Sequence, residues 1–285
     1  MTKEKLRAVA QAINAMDKHL RTELLQKNGV LQQKKLWENT FIKHQIDRRN
    51  SGDTFTFSDH IRAMVYAMLT SGIRWERVEN EIDAETGRIS SIDTLFHQYD
   101  PAFLLQCDPS MLRDEIKRLH CGSQYTLNQM KALLGVNIGK LQAWEQQYGT
   151  IDAYYQKFIK DDGSLNHLVK QLSDPNSKDK LAQMGEALTA EYLKNVGYNL
   201  AKPDRHIRRI LGHSAWDCSD REIVPIYDAM AIIDEISKET GKSAAEVDYI
   251  LWMYCADGFG EICTKMKPKC GLCKANNVCT KGGAY

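Results

Sequence analysis

Proline is scarce in this chain, six residues in 285, and β-branched runs are short. A fold built on sheets is thereby disfavoured, while Leu, Ala, Lys, Glu and Gln are plentiful, the composition of helices. No uninterrupted apolar run is long enough to span a bilayer. The opening segment MTKEKLRAVAQAINAMDKHL mixes charged and apolar residues and has no signal-peptide core, so no membrane partner and a cytoplasmic location are expected. Net charge is also missing, with Lys+Arg 38 against Asp+Glu 37, so any affinity for nucleic acid must come from local patches. Internal repeats and low-complexity tracts are absent.

What is present is helical periodicity. The spacing predicts amphipathic helices over 2–27 and 31–47, broken near Asn28-Gly29. Ser58 is placed to cap a helix carrying Ile61, Met64, Val65, Met68 and Leu69 on one face and stopping at Ser71-Gly72. Further helices are expected at 91–99, 109–119, 124–134, 137–147 and 151–159. Turns are expected at Asp161-Asp162-Gly163 and Asp174-Pro175-Asn176. Ser177 would cap a short helix ending near Gln183, followed by helices over 187–196, ending at Gly197, and 221–240, closed by Gly241. Ser243 and Glu246 have the spacing of a capping box. The expected fold class is all-α.

Two stretches carry chemistry. The last twenty residues hold three cysteines and four lysines and no acid. With Cys263 the spacing is Cys263-x6-Cys270-x2-Cys273-x5-Cys279. In a reducing compartment a cluster of this kind points to metal, and four thiolates suit zinc or an iron–sulfur cluster; only one Cys-x2-Cys knuckle is present, and the wider spacings suit the larger cube. Cys107, Cys121, Cys218 and Cys255 are scattered and read as small buried hydrophobes. The second stretch runs from Leu181 to Leu211. Gly185 marks a tight turn, and the helix after it would begin with free N–H groups, a ready phosphate site. Asp204 stands among Lys202, Arg205, His206, Arg208 and Arg209, either as a salt-bridge partner or as a functional carboxylate.

These residues resemble the helix-hairpin-helix DNA glycosylases of the endonuclease III and MutY superfamily. Leu181-Ala182-Gln183-Met184-Gly185 stands where the family commonly has Leu-Pro-Gly-Val-Gly. Tyr192-Leu193-Lys194-Asn195-Val196-Gly197-Tyr198 and Asp204-Arg205-His206-Ile207 are similar to its later segment, and the cysteine spacing is that of its carboxy-terminal [4Fe–4S] loop. The resemblance covers about the last hundred residues. It implies Asp204 as the catalytic carboxylate, a [4Fe–4S] cluster on Cys263, Cys270, Cys273 and Cys279, and contact with double-stranded DNA through Gln183, Met184, Gly185, Glu186, Ala187, Lys202, Arg205, His206, Lys265, Lys267, Lys269 and Lys274. It implies two helical lobes with a DNA groove between them: a helical barrel of 55–197, with the hairpin near 178–197, and a cluster lobe of 198–285 joined by the helices of 1–54.

The chain departs from the pattern in three places. Gln183 replaces the first hairpin glycine. Ala187 or Leu188 falls where bifunctional members have their lysine, so no Schiff base is expected and water takes the sugar carbon. Leu69-Thr70-Ser71-Gly72 lacks the glutamine wedge of many members, which leaves Arg74 or Trp75 to enter the duplex. With Tyr285 last, no added domain for reading the opposite base is expected. The expectation is a monomeric, monofunctional glycosylase that flips out a damaged or modified base and leaves an abasic site. The alternatives are a non-catalytic DNA-binding protein of the same build, or a defence enzyme acting on modified bases of foreign DNA.

Overall fold

The computed structural model describes residues 1–27, 29–73, 75–159 and 164–281. Among them the fold is helical, and its one sheet is a two-residue antiparallel pair, Gln26–Lys27 with Val30–Leu31. The all-α expectation holds. The chain divides into two compact units: Met1–Glu38 with Asn199–Tyr285, and Asn39–Tyr198.

In the first unit, Thr2 caps the helix Lys3–His19 by accepting the Lys5 N–H. Val9, Ala12, Ile13 and Met16 recur at three- and four-residue steps, so they share one face and are buried. That face joins a core with Ala229, Ile233 and Ile236 of the helix Ile226–Thr240 and Val247, Ile250, Leu251 and Tyr254 of the helix Ala244–Cys255. Each large apolar side chain so buried contributes about 1.5–3 kcal/mol. Pro225 sets the start of Ile226–Thr240, later than expected, and Gly241, at φ 73°, closes it as expected. Ser243 accepts the Glu246 N–H, but Glu246 turns to the Lys242 amine instead of back to the cap, so only half of the capping box forms.

The first helix is shorter than its periodicity suggests. It stops at His19, widens into a π turn over Leu20–Leu24, and gives way to the strand pair. The expected helix over 31–47 is likewise replaced by 3-10 turns at Gln33–Lys35 and Trp37–Asn39, and a helix begins only at Phe41. Burial of Leu36 and Trp37, and a bond from the Tyr249 hydroxyl to the Lys35 carbonyl (3.0 Å), hold that segment in its non-helical path.

In the second unit the central helix is Phe57–Leu69. Its cap is Thr56, not Ser58: Thr56 and Asp59 form a reciprocal capping box. It packs on the helix Glu186–Asn195. Asn166–Ser173 is a helix that periodicity did not suggest, whereas the short helix expected from Ser177 is a series of turns. The turn expected at 161–163 lies outside the described residues.

Residues 39–54, grouped with the amino-terminal helices in the sequence reading, fall in this second unit. Arg49 of the helix Phe41–Asn50 donates twice to the Val196 carbonyl (2.8 and 2.6 Å) and bidentately to Asp152 (2.9 and 3.0 Å). Gly197 sits at φ 80°, and a Cβ there would meet the Gln45 carbonyl oxygen at 2.4 Å. Only glycine fits both the conformation and the space.

His60 is fully buried beside this staple, with Nδ1 2.7 Å from the Tyr192 hydroxyl, which in turn bonds that of Tyr155. Burial, with Arg49 assisting and Asp152 and Asp59 opposing, pulls its imidazole from 6.5 down to about 4. The unfolded imidazole therefore binds its proton first. This contribution to stability is complete above pH 6.5 and is lost as pH falls toward 4, with a slope of up to about 1.4 kcal/mol per pH unit. Urea titrations across that window should show the slope, and His60→Asn should flatten it; an equal slope in the variant would assign the acid sensitivity to other groups.

Candidate functional site

The hairpin turn is built from inside the second unit. Asn137, fully buried, donates to the Ala182 carbonyl (3.0 Å) and accepts the Ala182 N–H (2.8 Å), and the Leu181 N–H bonds the Leu172 carbonyl (2.9 Å). The Lys140 amine donates to the carbonyls of Lys178 (2.6 Å) and Lys180 (2.9 Å), and the Lys180 amine to those of Ser173 (2.7 Å) and Met184 (3.0 Å). Burial lowers the Lys180 pKa; Lys140 adds to that and Asp174 opposes it. Two ammonium groups are thus spent on main-chain oxygens of the turn, with Asp174, Asp179 and Glu186 in the same stretch. Neither Asn137 nor the two lysines stood out in the sequence. The one signal was a polar residue inside the apolar run LLGVNIGKL.

The turn's left-handed residue is Gln183, at φ 58°, and not a glycine. Gly185 lies in extended conformation (φ −78°, ψ 175°) and caps Glu186–Asn195 without a side-chain bond to the helix's first N–H groups. A Cβ on Gly185 would meet nothing within 4 Å, so no collision inside the protein requires glycine there. Gln183, Gly185 and Glu186 are exposed, Ala187 and Leu188 are half-buried, and Met184 is buried, with its N–H bonded to the Leu181 carbonyl (3.2 Å) as well as its carbonyl to the Lys180 amine. Replacing Gln183 by Gly should stabilise the protein by about 1 kcal/mol, since a left-handed non-glycine residue costs about 1–2 kcal/mol and glycine returns part of that as backbone entropy. Urea denaturation measures it, and a loss of stability would contradict the account.

Asp204, in the first unit, is the N-cap of the helix Arg205–Ile210. Its Oδ1 accepts the N–H groups of His206 (2.7 Å) and Ile207 (3.1 Å). The carboxylate is half-buried and its orientation is fixed by the main chain. Arg208, the salt-bridge partner considered for it, donates instead through Nε to the Val224 carbonyl (2.5 Å). Lys202 and His206 are half-buried and Arg205 is exposed. Trp75 opens the helix Trp75–Glu79 and is half-buried; Arg74 lies outside the described residues.

The cysteine loop hangs on the same unit. The N–H groups of Ile262 and Cys263 bond the Tyr254 carbonyl (2.9 and 3.0 Å), Lys269 N–H bonds the Ile262 carbonyl (2.8 Å), and Cys273 N–H that of Cys270 (3.1 Å). Ala275 and Val278 are buried and anchor the loop in the core, against which Cys263, Cys273 and Cys279 pack. Arg209 Nη2 bonds the Cys263 carbonyl (2.6 Å) and lies 3.7 Å from its sulfur.

A hydrogen bond from Cys255 pulls the Cys263 thiol down to about 6, with Arg209 and His206 assisting against burial, while Cys255 itself is raised. Burial pushes Cys273 up to about 11, and Cys263, Cys279 and Cys270 add to it. The four loop cysteines thus share one anchored loop, and the other three act on the Cys273 thiol. Four sulfur ligands on one loop are a soft donor set, which once deprotonated fits a thiophilic metal group. Among the described residues, no three His, Cys, Asp or Glu side chains stand together as a metal-holding group. Cys255, read from sequence as a buried hydrophobe, is buried but also bonds to Cys263. Lys265, Lys267, Lys269 and Lys274 are all exposed, and Lys269 pairs with Glu261 at 3.5 Å. No helix among the described residues is long and apolar enough to cross a membrane.

No family model matches the chain and no curated protein does. Among solved structures it is similar to that of Methanocaldococcus jannaschii 8-oxoguanine glycosylase/lyase in complex with a 15mer DNA containing 8-oxoguanine. The TM-score is 0.46 and the identity 17%, over 85% of this chain and 96% of that one.

Proposed function

We propose that the protein is a monofunctional DNA glycosylase, hydrolysing the N-glycosidic bond of a damaged or modified base in duplex DNA. The observation that carries the reading is Asp204: a half-buried carboxylate whose two main-chain bonds both fall on Oδ1 and fix its direction. Leaving of the base builds positive charge on the deoxyribose. A fixed carboxylate stabilises that charge and helps deprotonate the attacking water. The extrahelical nucleotide that this requires would be held by its neighbouring phosphates. The uncapped start of Glu186–Asn195 supplies N–H groups, and the exposed lysines of the cysteine loop supply charge of the right kind. Neither Ala187 nor Leu188 has an amine, which supports hydrolysis without a lyase step. Trp75 remains the candidate wedge.

Cys263, Cys270, Cys273 and Cys279 would hold a [4Fe–4S] cluster. When bound, it stiffens the loop that presents Lys265, Lys267 and Lys274.

The test is incubation of the protein with duplexes carrying different lesions and modified bases, followed by mass spectrometry of the released bases. One base should appear as a free product, leaving an abasic site that breaks only in alkali. Tight duplex binding with no base released from any substrate would favour a second reading. In that reading Asp204 serves only as a helix cap, a role its two bonds already fill, and the protein binds unusual DNA without cutting it.

A further inference from the structure

The amino-terminal segment touches the cysteine loop beside one of its four cysteines, reaches the neighbour of a second through Tyr254, and touches the chain leading into a third. The Lys5 amine donates to the Val278 carbonyl at 3.3 Å, one residue before Cys279. The Lys35 amine donates to the Gly258 carbonyl at 3.0 Å and lies 4.4 Å over the Phe259 ring, on the approach to Cys263. Between them His19 Nδ1 lies 2.5 Å from the Tyr254 hydroxyl, which accepts the N–H of Lys274 (3.3 Å), the residue after Cys273. Tyr254 therefore serves both ends of the loop: its carbonyl takes the N–H groups of Ile262 and Cys263, and its hydroxyl takes that of Lys274.

The protons in this chain can be assigned. Lys274 N–H donates to the Tyr254 oxygen, so the Tyr254 proton points to His19 Nδ1. His19 then carries its own proton on Nε2 and donates it to Glu23 Oε2, 3.2 Å away. One neutral tautomer satisfies the imidazole and the phenol together, and both side chains are buried. A carboxylate–imidazole–phenol chain of this kind could serve reaction chemistry, but with Tyr254 out of solvent's reach it ends on a main-chain amide, and its effect is to fix the loop.

We infer that the segment Met1–Glu38 is an intramolecular retainer of the group held by the cysteines. In it His19 is a positioning residue acting through Tyr254 on the Cys273 end of the loop. The inference rests on the cysteine-loop reading above. Uncoupling the chain frees the loop to open, so the bound metal group escapes sooner.

The experiment uses the full chain purified without oxygen. Iron release to an excess of EDTA is followed by visible absorbance, and exchange of the Lys274 amide by NMR. His19→Gln should release iron roughly five- to tenfold faster, the worth of about one net hydrogen bond. Tyr254→Phe should do the same, and the pair together should be no faster than either alone. His19→Asn should stay close to the parent, because its amide oxygen takes the place of Nδ1 while that of Gln takes the place of Nε2. Asn removes one methylene more than Gln, so a purely packing role would make His19→Asn the faster of the two. Equal release by the Asn and Gln variants, or release unchanged in both, would overturn the inference. A parent protein without iron would refute the cofactor reading by itself. In that case faster Lys274 exchange in His19→Gln, but not in His19→Asn, still supports the brace, and unchanged exchange overturns it.

Discussion

Asp204→Asn should lower base release on the order of a hundredfold or more, with duplex binding unchanged or tighter. The substitution separates the two things Asp204 can do. Asparagine is as good an N-cap as aspartate, so its amide oxygen keeps the bonds to the N–H groups of His206 and Ile207 and the helix Arg205–Ile210 stays in place. What disappears is the negative charge facing a cationic sugar, and that charge matters only in the transition state. Asp204→Ala should lose both functions, costing about a further 1 kcal/mol of stability through the lost cap. Single-turnover kinetics with the cognate duplex, read beside thermal melts, measure the two effects apart. Wild-type activity in Asp204→Asn would leave the cap as the residue's whole purpose. A covalent adduct captured by borohydride would mean that a lysine, not water, attacks the sugar.

Purified without oxygen, the protein should be yellow-brown and carry about four iron atoms per chain. Cys273→Ser should abolish the colour and selectively loosen the first unit. Cys273 packs on the core that Ala275 and Val278 close, and binding of a metal group to ligands absent in the unfolded chain is coupled to folding. Iron analysis, visible spectra and limited proteolysis would test this together. Cleavage after the lysines of 263–281 should precede any cut in Asn39–Tyr198. Full iron in the variant, or stoichiometric zinc without iron in the parent, would refute the assignment.

The parts of the fold that local sequence determines were legible. The buried stripe Ile61, Met64, Val65, Met68 marks Phe57–Leu69, and glycine closes Ile226–Thr240. Local patterns failed where distant groups decide. Residues 177–183 look like a capped helix, yet Asn137 and Lys140, roughly forty residues earlier, take up their main-chain groups and hold them as turns. The good helix formers after His19 likewise give way to a π turn and a strand pair. The candidate site divides the same way. The cysteine spacing and the Asp204 segment are read within single stretches. The partners that orient them, Arg209 and Cys255 on Cys263 and Tyr254 on the loop, become visible only when separate helices meet.

Because the first unit is made of Met1–Glu38 and Asn199–Tyr285, the 160 residues of Asn39–Tyr198 interrupt it. On a ribosome the continuous second unit can fold while the helix Lys3–His19 still waits for its partners. At about 5–20 residues per second, synthesis of the interruption takes roughly 8–32 s. For that interval the stripe of Val9, Ile13 and Met16 has no core to enter. The nascent chain then exposes an apolar helix of the kind that holdase chaperones bind, and the cysteine loop, made after the interruption, meets a unit that is only then being completed. Slow translation or a missing holdase should therefore harm the cysteine-bearing unit first and leave its neighbour intact.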